Sequence, residues 1–196
     1  DVAAWLYDQA YRQSDNNEEV AIELAEQFKA NGNFTKAEST LSNAIADGGS
    51  VELYIALCKT YIQQNKLLDA VNMLDNMPES AIKEQLDKLR PSTPEPNPAP
   101  GFYSQYITVT VKSTTDTLYV SADGEYPSVR EDAYQGGVQL AAGENIIYAL
   151  AVGDNGLVSP LAVFGYTVGG VIEEVKFESA ELDALVRETL GFSADD

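Results

Sequence analysis

The spacing of apolar residues changes once along this chain, at a proline-rich stretch. Up to residue 90, apolar residues recur at the three- and four-residue spacing of amphipathic helices. Beyond residue 100 they alternate with polar residues, and turns that contain glycine separate the runs. The pattern predicts a helical part followed by a part made of short strands.

The proline-rich stretch, residues 91–100, holds five of the chain's eight prolines. Proline fixes φ and has no backbone N–H, which excludes the stretch from helices and central strands. We expect an extended, polyproline-like spacer of about 30 Å that holds the two parts apart. The predicted division is a helical domain at 1–90, a linker at 91–100, a β domain at 101–170 and a tail at 171–196.

Two segments of the helical part match each other at a shift of 33 residues. Residues 25–41 and 58–74 place small, aromatic, small and leucine residues at equivalent positions around a polar turn. This pattern resembles the tetratricopeptide repeat, a helix–turn–helix unit of about 34 residues; a generic helical bundle is the alternative. The resemblance assigns the main packing positions to Leu24, Ala25, Phe28, Ala37, Leu41 and Ala44, and in the next repeat to Leu57, Cys58, Tyr61, Ala70 and Leu74.

Repeats of this kind bury one continuous core and leave a concave groove that binds peptides or partner helices. The resemblance therefore implies a protein or peptide partner, although it assigns no groove residues here. The alternative is a role as a spacer or a dimerisation element. Residues 78–90 are expected to close the helical part with a further helix.

The β part contains five predicted strands, at residues 106–112, 117–121, 137–140, 145–152 and 161–168. Short strands without intervening helices predict an antiparallel sandwich. The strand and turn at 118–128 and the hairpin at 147–159 resemble the small immunoglobulin-like domain at the C-terminus of chitobiase and β-hexosaminidase enzymes. The resemblance spans residues 101–168, with Ala122 where that family has threonine. It implies an appendage, because hydrolysis in that family takes place elsewhere.

The tail combines a predicted strand at 171–177 with a predicted helix at 179–190 that Ser179 caps and Gly191 ends. Its sequence resembles the N-terminal cap of bacterial leucine-rich-repeat proteins; an ordinary terminal amphipathic helix is the alternative. The chain also opens on a helical pattern at Asp1. We therefore expect a fragment of a longer protein whose leader or anchor lies outside it, located outside the cytoplasm or at the cell surface.

Charge and composition exclude several classes of function. The net charge of −19 repels phosphate backbones and anionic lipids, and no apolar run is long enough to span a membrane, so neither nucleic acid nor membrane insertion is expected. The chain has no histidine, and its one cysteine, Cys58, falls in a helical apolar pattern that predicts a buried, inert thiol. No catalytic residue, cofactor or metal site is predicted. Asp123 and Asp154 are expected to shape turns, with a weak calcium site at Asp154 as the alternative.

Tyrosines are the best candidates for ligand contact. Aromatic faces stack on sugar rings or anchor protein contacts, whereas in the alternative view these tyrosines cover the sandwich core. The candidate residues are Tyr103, Tyr106, Tyr119, Tyr126 and Tyr134.

The sequence as a whole predicts a multidomain α and β protein in which a tetratricopeptide-like helical module precedes an immunoglobulin-like β-sandwich and a C-terminal helix. The expected function is a non-catalytic scaffold for protein–protein interaction within a bacterial cell-surface protein. The first alternative is a carbohydrate-binding accessory region of a cell-wall or glycan-processing protein. A hydrolase that uses only carboxylates is the third hypothesis.

Overall fold

A computed structural model describes residues 2–14, 17–115, 117–169 and 185, and this part of the chain is a mixed α and β structure. Within residues 2–169, as far as the structure describes them, six helices precede seven strands. The helices are α1 (Val2–Gln13), α2 (Glu18–Ala30), α3 (Phe34–Ala46), α4 (Val51–Gln63), α5 (Leu67–Asp75) and α6 (Ala81–Leu89). The strands are β1 (Glu95–Asn97), β2 (Gly101–Tyr103), β3 (Thr108–Lys112), β4 (Thr117–Ser121), β5 (Val138–Gln139), β6 (Gly143–Val152) and β7 (Ala162–Val168).

Short polar side chains begin four of the helices. The side-chain oxygens of Asn17, Asn33, Ser50 and Ser80 each accept a hydrogen bond from the backbone N–H three residues later. Such a bond satisfies one of the donors that the first helical turn leaves without a partner. The predicted closing helix begins later than expected, at Ala81, because Ser80 provides this cap.

The helices follow the predicted period. Helix α2 begins at Glu18 and α4 at Val51, and α3 begins at Phe34 and α5 at Leu67, so both pairs are shifted by 33 residues. The small residues at the helix crossings, Ala25, Ala37, Cys58 and Ala70, are completely or almost completely buried. The predicted periodicity and the predicted burial of these small residues are confirmed.

The strands form a three-stranded sheet in the order β1-β3-β5 and a four-stranded sheet in the order β2-β7-β6-β4. All pairs are antiparallel except β2 with β7, which run parallel, so the prediction of a purely antiparallel arrangement is wrong at this edge. Val109 of β3 and Ile147 and Phe164 of the other sheet share one buried cluster, which places an apolar core between the two sheets.

The proline-rich stretch is part of the β structure, so the prediction of a polyproline-like spacer is wrong. Residues 95–97 form the edge strand β1 and pair with β3, with Pro96 opposite Val111. Residues 101–103, directly after the stretch, form β2. The prolines do keep the stretch out of helices and central strands, as expected.

The helical and β parts are not held apart. Cys58, Leu74 and Leu86 share a single buried cluster with Leu150 and Leu157 of the β part. We call this the shared cluster. Apolar burial of this kind is the main stabilising term in folding, so it joins the two parts directly and contradicts the predicted separation.

Hydrogen bonds between the two parts surround the shared cluster. The side-chain oxygen of Asn65 accepts from the backbone N–H of Val129 at 2.7 Å. The side-chain amide of Asn155 donates to the carbonyl of Leu89 at 3.0 Å. Asn65 has a φ of 62°, a left-handed conformation that asparagine tolerates better than most residues.

The predicted strand at 171–177 and the predicted helix at 179–190 lie outside the described residues, apart from the helical residue Leu185.

Candidate functional site

The four-stranded sheet has an inner face and an outer face. Strand β7 alternates strictly, with Ala162, Phe164, Tyr166 and Val168 buried in the core between the sheets and the intervening residues exposed. On β6, Ile147, Ala149 and Ala151 belong to the same core, so residues 144, 146, 148, 150 and 152 lie on the outer face.

An apolar patch occupies one end of this outer face. Strand register places Tyr148 opposite Val163 and Ile146 opposite Gly165, while Phe102 lies opposite Thr167 on the neighbouring strand. The ring of Tyr126 contacts that of Tyr148, with centroids 5.0 Å apart. Phe102, Val163, Tyr126 and Ile146 are 70%, 57%, 51% and 48% exposed. We call Phe102, Tyr126, Ile146, Tyr148 and Val163 the outer-face patch.

The other end of the outer face is covered by the chain's own helices. Leu150 and Val152, on the same side of β6 as Ile146, are buried in the shared cluster with residues of α4, α5 and α6. The outer face is thus apolar along most of β6, and the helices cover only part of it. A sheet with one solvated face normally alternates between apolar and polar residues, so this pattern is typical of a sheet that is covered on both faces.

One face of α4 is occupied by the β part. Ile55 and Ile62 pack against the shared cluster, and Lys59, between them on the same face, contacts the turn before β7. Gly156 of that turn has a φ of 87°, a left-handed conformation that favours glycine, and a Cβ atom built there would lie 2.5 Å from Cγ of Lys59. The turn before β7 therefore lies close against this face of α4.

Carboxylates lie beside the outer-face patch. Glu144 is opposite Thr167, which is itself opposite Phe102, and Asp123 and Glu125 shortly precede Tyr126 in the loop after β4. The Ser121 hydroxyl and the Glu125 N–H both donate to the Asp123 carboxylate, and these hydrogen bonds lower the pKa of that group. The strands of this sheet contain no lysine or arginine. The patch therefore has an acidic rim.

A buried guanidinium lies where the two parts meet. Nε of Arg90 donates to the carbonyl of Val158 at 2.9 Å, and Nη1 pairs with Asp75 at 2.7 Å. The Arg90 side chain is 5% exposed, and its buried Nη2 has no hydrogen-bond partner among the described residues. Burial raises the pKa of the Cys58 thiol to about 12, although the charge of Arg90 opposes the shift. Cys58 is therefore a buried thiol that stays protonated, as predicted.

The structure does not bring the five predicted tyrosines together. The hydroxyl of Tyr103 donates to the carbonyl of Ala99, and that of Tyr134 accepts from the N–H of Val111; both rings pack against the core between the sheets. Tyr119 packs against the shared cluster. Tyr103 and Tyr134 thus cover the core between the sheets, whereas Tyr119 packs where the helical and β parts meet.

Only Tyr106 and Tyr126 are exposed candidates. Tyr106 lines an open depression of about 300 Å³ together with Gln139, Leu140 and Ala141. Tyr126 belongs to the outer-face patch on the other sheet. The exposed candidate residues thus lie on two separate surfaces, and the one with Tyr126 also carries the exposed apolar residues Phe102, Ile146 and Val163.

Sequence reasoning missed most of the outer-face patch. Ile146, Tyr148 and Val163 all fall inside predicted strands, but β6 is apolar at both odd and even positions, so the pattern did not show which residues face outward. The alternation along β7 was the available signal, because it assigns Val163 to the face opposite the core.

Asp123 and Asp154 take the predicted roles as turn residues, at 123–124 and 153–156. Within the described ranges, no group of three or more histidine, cysteine, aspartate or glutamate side chains is arranged to hold a metal ion, and Asp154 is not part of one. None of the described helices has both the length and the apolar character of a membrane span. No protein-family model matches the chain, and no curated protein or solved structure is significantly similar to it.

Proposed function

We propose that this chain is a non-catalytic module for protein–protein interaction, and that the outer-face patch is its docking surface. The observation that carries this proposal is the exposure of Ile146 and Val163 on a sheet face whose other end is already buried under helices. Contiguous exposed apolar and aromatic side chains with a charged rim are typical of interaction sites. The proposal includes a bacterial extracytoplasmic location, as part of a longer protein.

The domain assignment is part of the same proposal. The 33-residue shift between helix pairs and the buried small residues at their crossings support tetratricopeptide-like repeats at 1–90. The two facing sheets support an immunoglobulin-like domain at 101–170. Residues 171–196 are proposed to begin a leucine-rich-repeat region on sequence grounds alone. Such modules occur as interaction domains, which agrees with the proposed docking surface.

The test compares three forms of the immobilised chain exposed to an extract of the source cells. These are the native chain, the double variant Ile146→Ser/Val163→Ser, and the control Thr108→Ser, which changes an exposed residue of the other sheet. We expect a discrete partner that the native chain and the control retain and the double variant loses. The recovered partner is then purified, and its affinity for each form is measured by calorimetry. Equal affinity for all three forms would contradict the proposal.

Carbohydrate binding is the second candidate, favoured by the paired rings of Tyr126 and Tyr148, since exposed aromatic rings stack on sugars. Co-sedimentation with insoluble chitin, peptidoglycan and plant polysaccharides tests it. Retention on one polymer that is lost in Tyr126→Ala and kept in Tyr106→Ala would assign the patch to a glycan. Retention that does not depend on Tyr126 would remove this candidate.

A further inference from the structure

The outer-face patch continues a surface on which the chain already packs helices. Leu150 and Val152 share one side of β6 with Ile146 and Tyr148, and they are buried against α4, α5 and α6. A further helix laid beside these would extend the same helical layer along the sheet. The described residues include no segment that covers Ile146 or Val163.

The size of the patch fits two to three turns of a helix. From residue 144 to residue 148, β6 advances about 14 Å at roughly 3.4 Å per residue. An α-helix rises about 1.5 Å per residue, so side chains at positions i, i+4 and i+7 span about 10 Å along one face. Three apolar side chains at this spacing cover the distance between Ile146 and the paired rings of Tyr126 and Tyr148.

Charge decides between the candidate occupants. The patch has the carboxylate of Glu144 beside it on β6, Asp123 and Glu125 lie in the loop that leads to Tyr126, and none of its strands carries a basic residue. The whole chain has a net charge of −19, so a second copy would be repelled. A segment with basic residues beside its apolar stripe has the complementary charge.

We propose that the outer-face patch binds a basic amphipathic α-helix of a partner protein, with apolar residues at i, i+4 and i+7 against Ile146, Val163 and Tyr148, and with lysine or arginine beside Glu144 and Glu125. This inference rests on the proposed function and specifies the partner's chemistry. The apolar contacts provide the affinity, and the carboxylates provide the orientation and the salt dependence.

The probes are three amphipathic peptides of about 14 residues, long enough for almost four turns. The first combines leucine with lysine, the second replaces every lysine with glutamate, and the third replaces every leucine with serine. Each is titrated into the full chain labelled with ¹⁵N, and amide shifts are mapped. We expect the leucine–lysine peptide to shift the amides of Ile146, Tyr148 and Gly165 and to bind at least about tenfold more tightly than the other two.

Two single-charge variants provide a matched comparison. Glu144→Gln removes a carboxylate at the patch, and Glu95→Gln removes an exposed one on the edge of the other sheet. We expect Glu144→Gln to weaken binding about two- to fivefold and to lower its salt dependence, with no effect of Glu95→Gln. Ile146→Ser, a change at a half-exposed position that leaves the core intact, should weaken binding about tenfold.

Failure of this inference can be distinguished from failure of the proposed function. Equal binding of the lysine and glutamate peptides at the patch would overturn the basic partner and leave protein docking in place. If the leucine–lysine peptide bound but shifted only amides of the helices, the outer-face patch would not be the binding site of the basic helix, and this inference would be overturned. If, in addition, Ile146→Ser/Val163→Ser retained the cellular partner, the proposed function would fail as well.

A nitroxide label tests the other occupants. Cys58 is buried, so Thr167→Cys on the rim of the patch can be labelled selectively. Broadening of resonances of residues 171–190 within the same molecule would assign the patch to the chain's own C-terminal segment and overturn the proposal. Broadening between labelled and unlabelled copies would assign it to a second copy and overturn it equally. We expect broadening of the added leucine–lysine peptide only.

Discussion

At the scale of single residues, Arg90 connects the helices to the β part. It follows α6, pairs with Asp75 at the end of α5, and donates to the carbonyl of Val158 in the β part. A guanidinium stays charged at all relevant pH values, so burying it is costly where its donors lack acceptors; Nε and Nη1 of Arg90 have acceptors, whereas the buried Nη2 has none among the described residues. The contact between the helical and β parts is mainly apolar, and the hydrogen bonds of Arg90 add positional specificity to it.

Replacing Arg90 tests this role. Arg90→Met keeps the length and apolar character of the side chain but removes its hydrogen bonds. We expect the free energy of unfolding in urea to fall by about 1.5–3 kcal/mol, the usual contribution of hydrogen bonds to charged groups. Lys88→Met is the matched control, because Lys88 and its partner Glu84 are both about 70% exposed, and such pairs contribute less than about 1 kcal/mol. Equal effects of the two variants would show that Arg90 is not essential to the contact.

At the scale of elements, the loop after β4 positions Tyr126 through Asp123. The Ser121 hydroxyl donates to the Asp123 carboxylate at 2.5 Å, and the N–H of Glu125 donates to the same oxygen at 3.0 Å. Both bonds favour the ionised carboxylate, and they hold the pKa of Asp123 below its ordinary value of 3.8. The charge of one turn residue thus orders the loop that presents an aromatic ring to the outer-face patch.

The loop is expected to respond to acid. Because the folded-state pKa of Asp123 is lower than its ordinary value of 3.8, which applies in the unfolded chain, its stabilising effect is complete above that pH and is lost as the pH falls through the folded-state pKa. Carboxyl-carbon NMR should show a pKa below 3.8 for Asp123 and a higher one in Ser121→Ala, because the hydroxyl donor is removed. An unaltered pKa of Asp123 in Ser121→Ala would contradict this account.

Local patterns predicted most of the elements. Strand β4 was predicted at 117–121 and has these bounds, and Ala37 and Ala70 were predicted as close packing positions and are buried. These features are determined by residues close together in sequence, and hydrophobic periodicity and turn residues are visible at that range. The pairing of β1 with β3 joins segments that are more than ten residues apart in the chain. The proline stretch is extended both as a free spacer and as a paired strand, so its sequence could not show which of the two it forms.

The candidate site was predicted less well, for a related reason. Five tyrosines were selected as candidates for ligand contact; Tyr126 is exposed, whereas the hydroxyls of Tyr103 and Tyr134 bond to the backbone and their rings pack against the core. An aromatic residue in a strand has the same local signature whether it faces a core or solvent. Which face of β6 is covered depends on where α5 and α6 pack, and that is set by tertiary contacts alone.

At the scale of the whole molecule, the shared cluster predicts that the helical and β parts unfold as one cooperative structure. Leu157, in the turn before β7, is completely buried among side chains that include Leu74 and Leu86 of the helices. A domain that exchanged few contacts with its neighbour would unfold independently, but apolar burial on this scale couples the two parts.

This coupling predicts the effect of a change in the β part on the helices. Leu157→Ala should lower the free energy of unfolding by about 2–5 kcal/mol and shift the helical transition, followed by far-UV circular dichroism, together with the amide signals of β3. The control Val163→Ala, at an exposed position on β7, should leave both transitions in place. A helical transition that stayed unchanged in Leu157→Ala while that of β3 moved would show that the two parts fold independently.

The edge strand β1 has a consequence for solubility at high concentration. Thr110 and Lys112 oppose Asn97 and Glu95, whereas the N–H of Val111, opposite Pro96, points away from β1 to the hydroxyl of Tyr134. In an antiparallel ladder the nitrogen of Pro96 therefore lies on the free edge of the sheet. Proline carries no N–H there, so this edge offers no donor at that position to an added strand. The residues that made the stretch resemble a spacer thus protect the sheet against edge-to-edge aggregation.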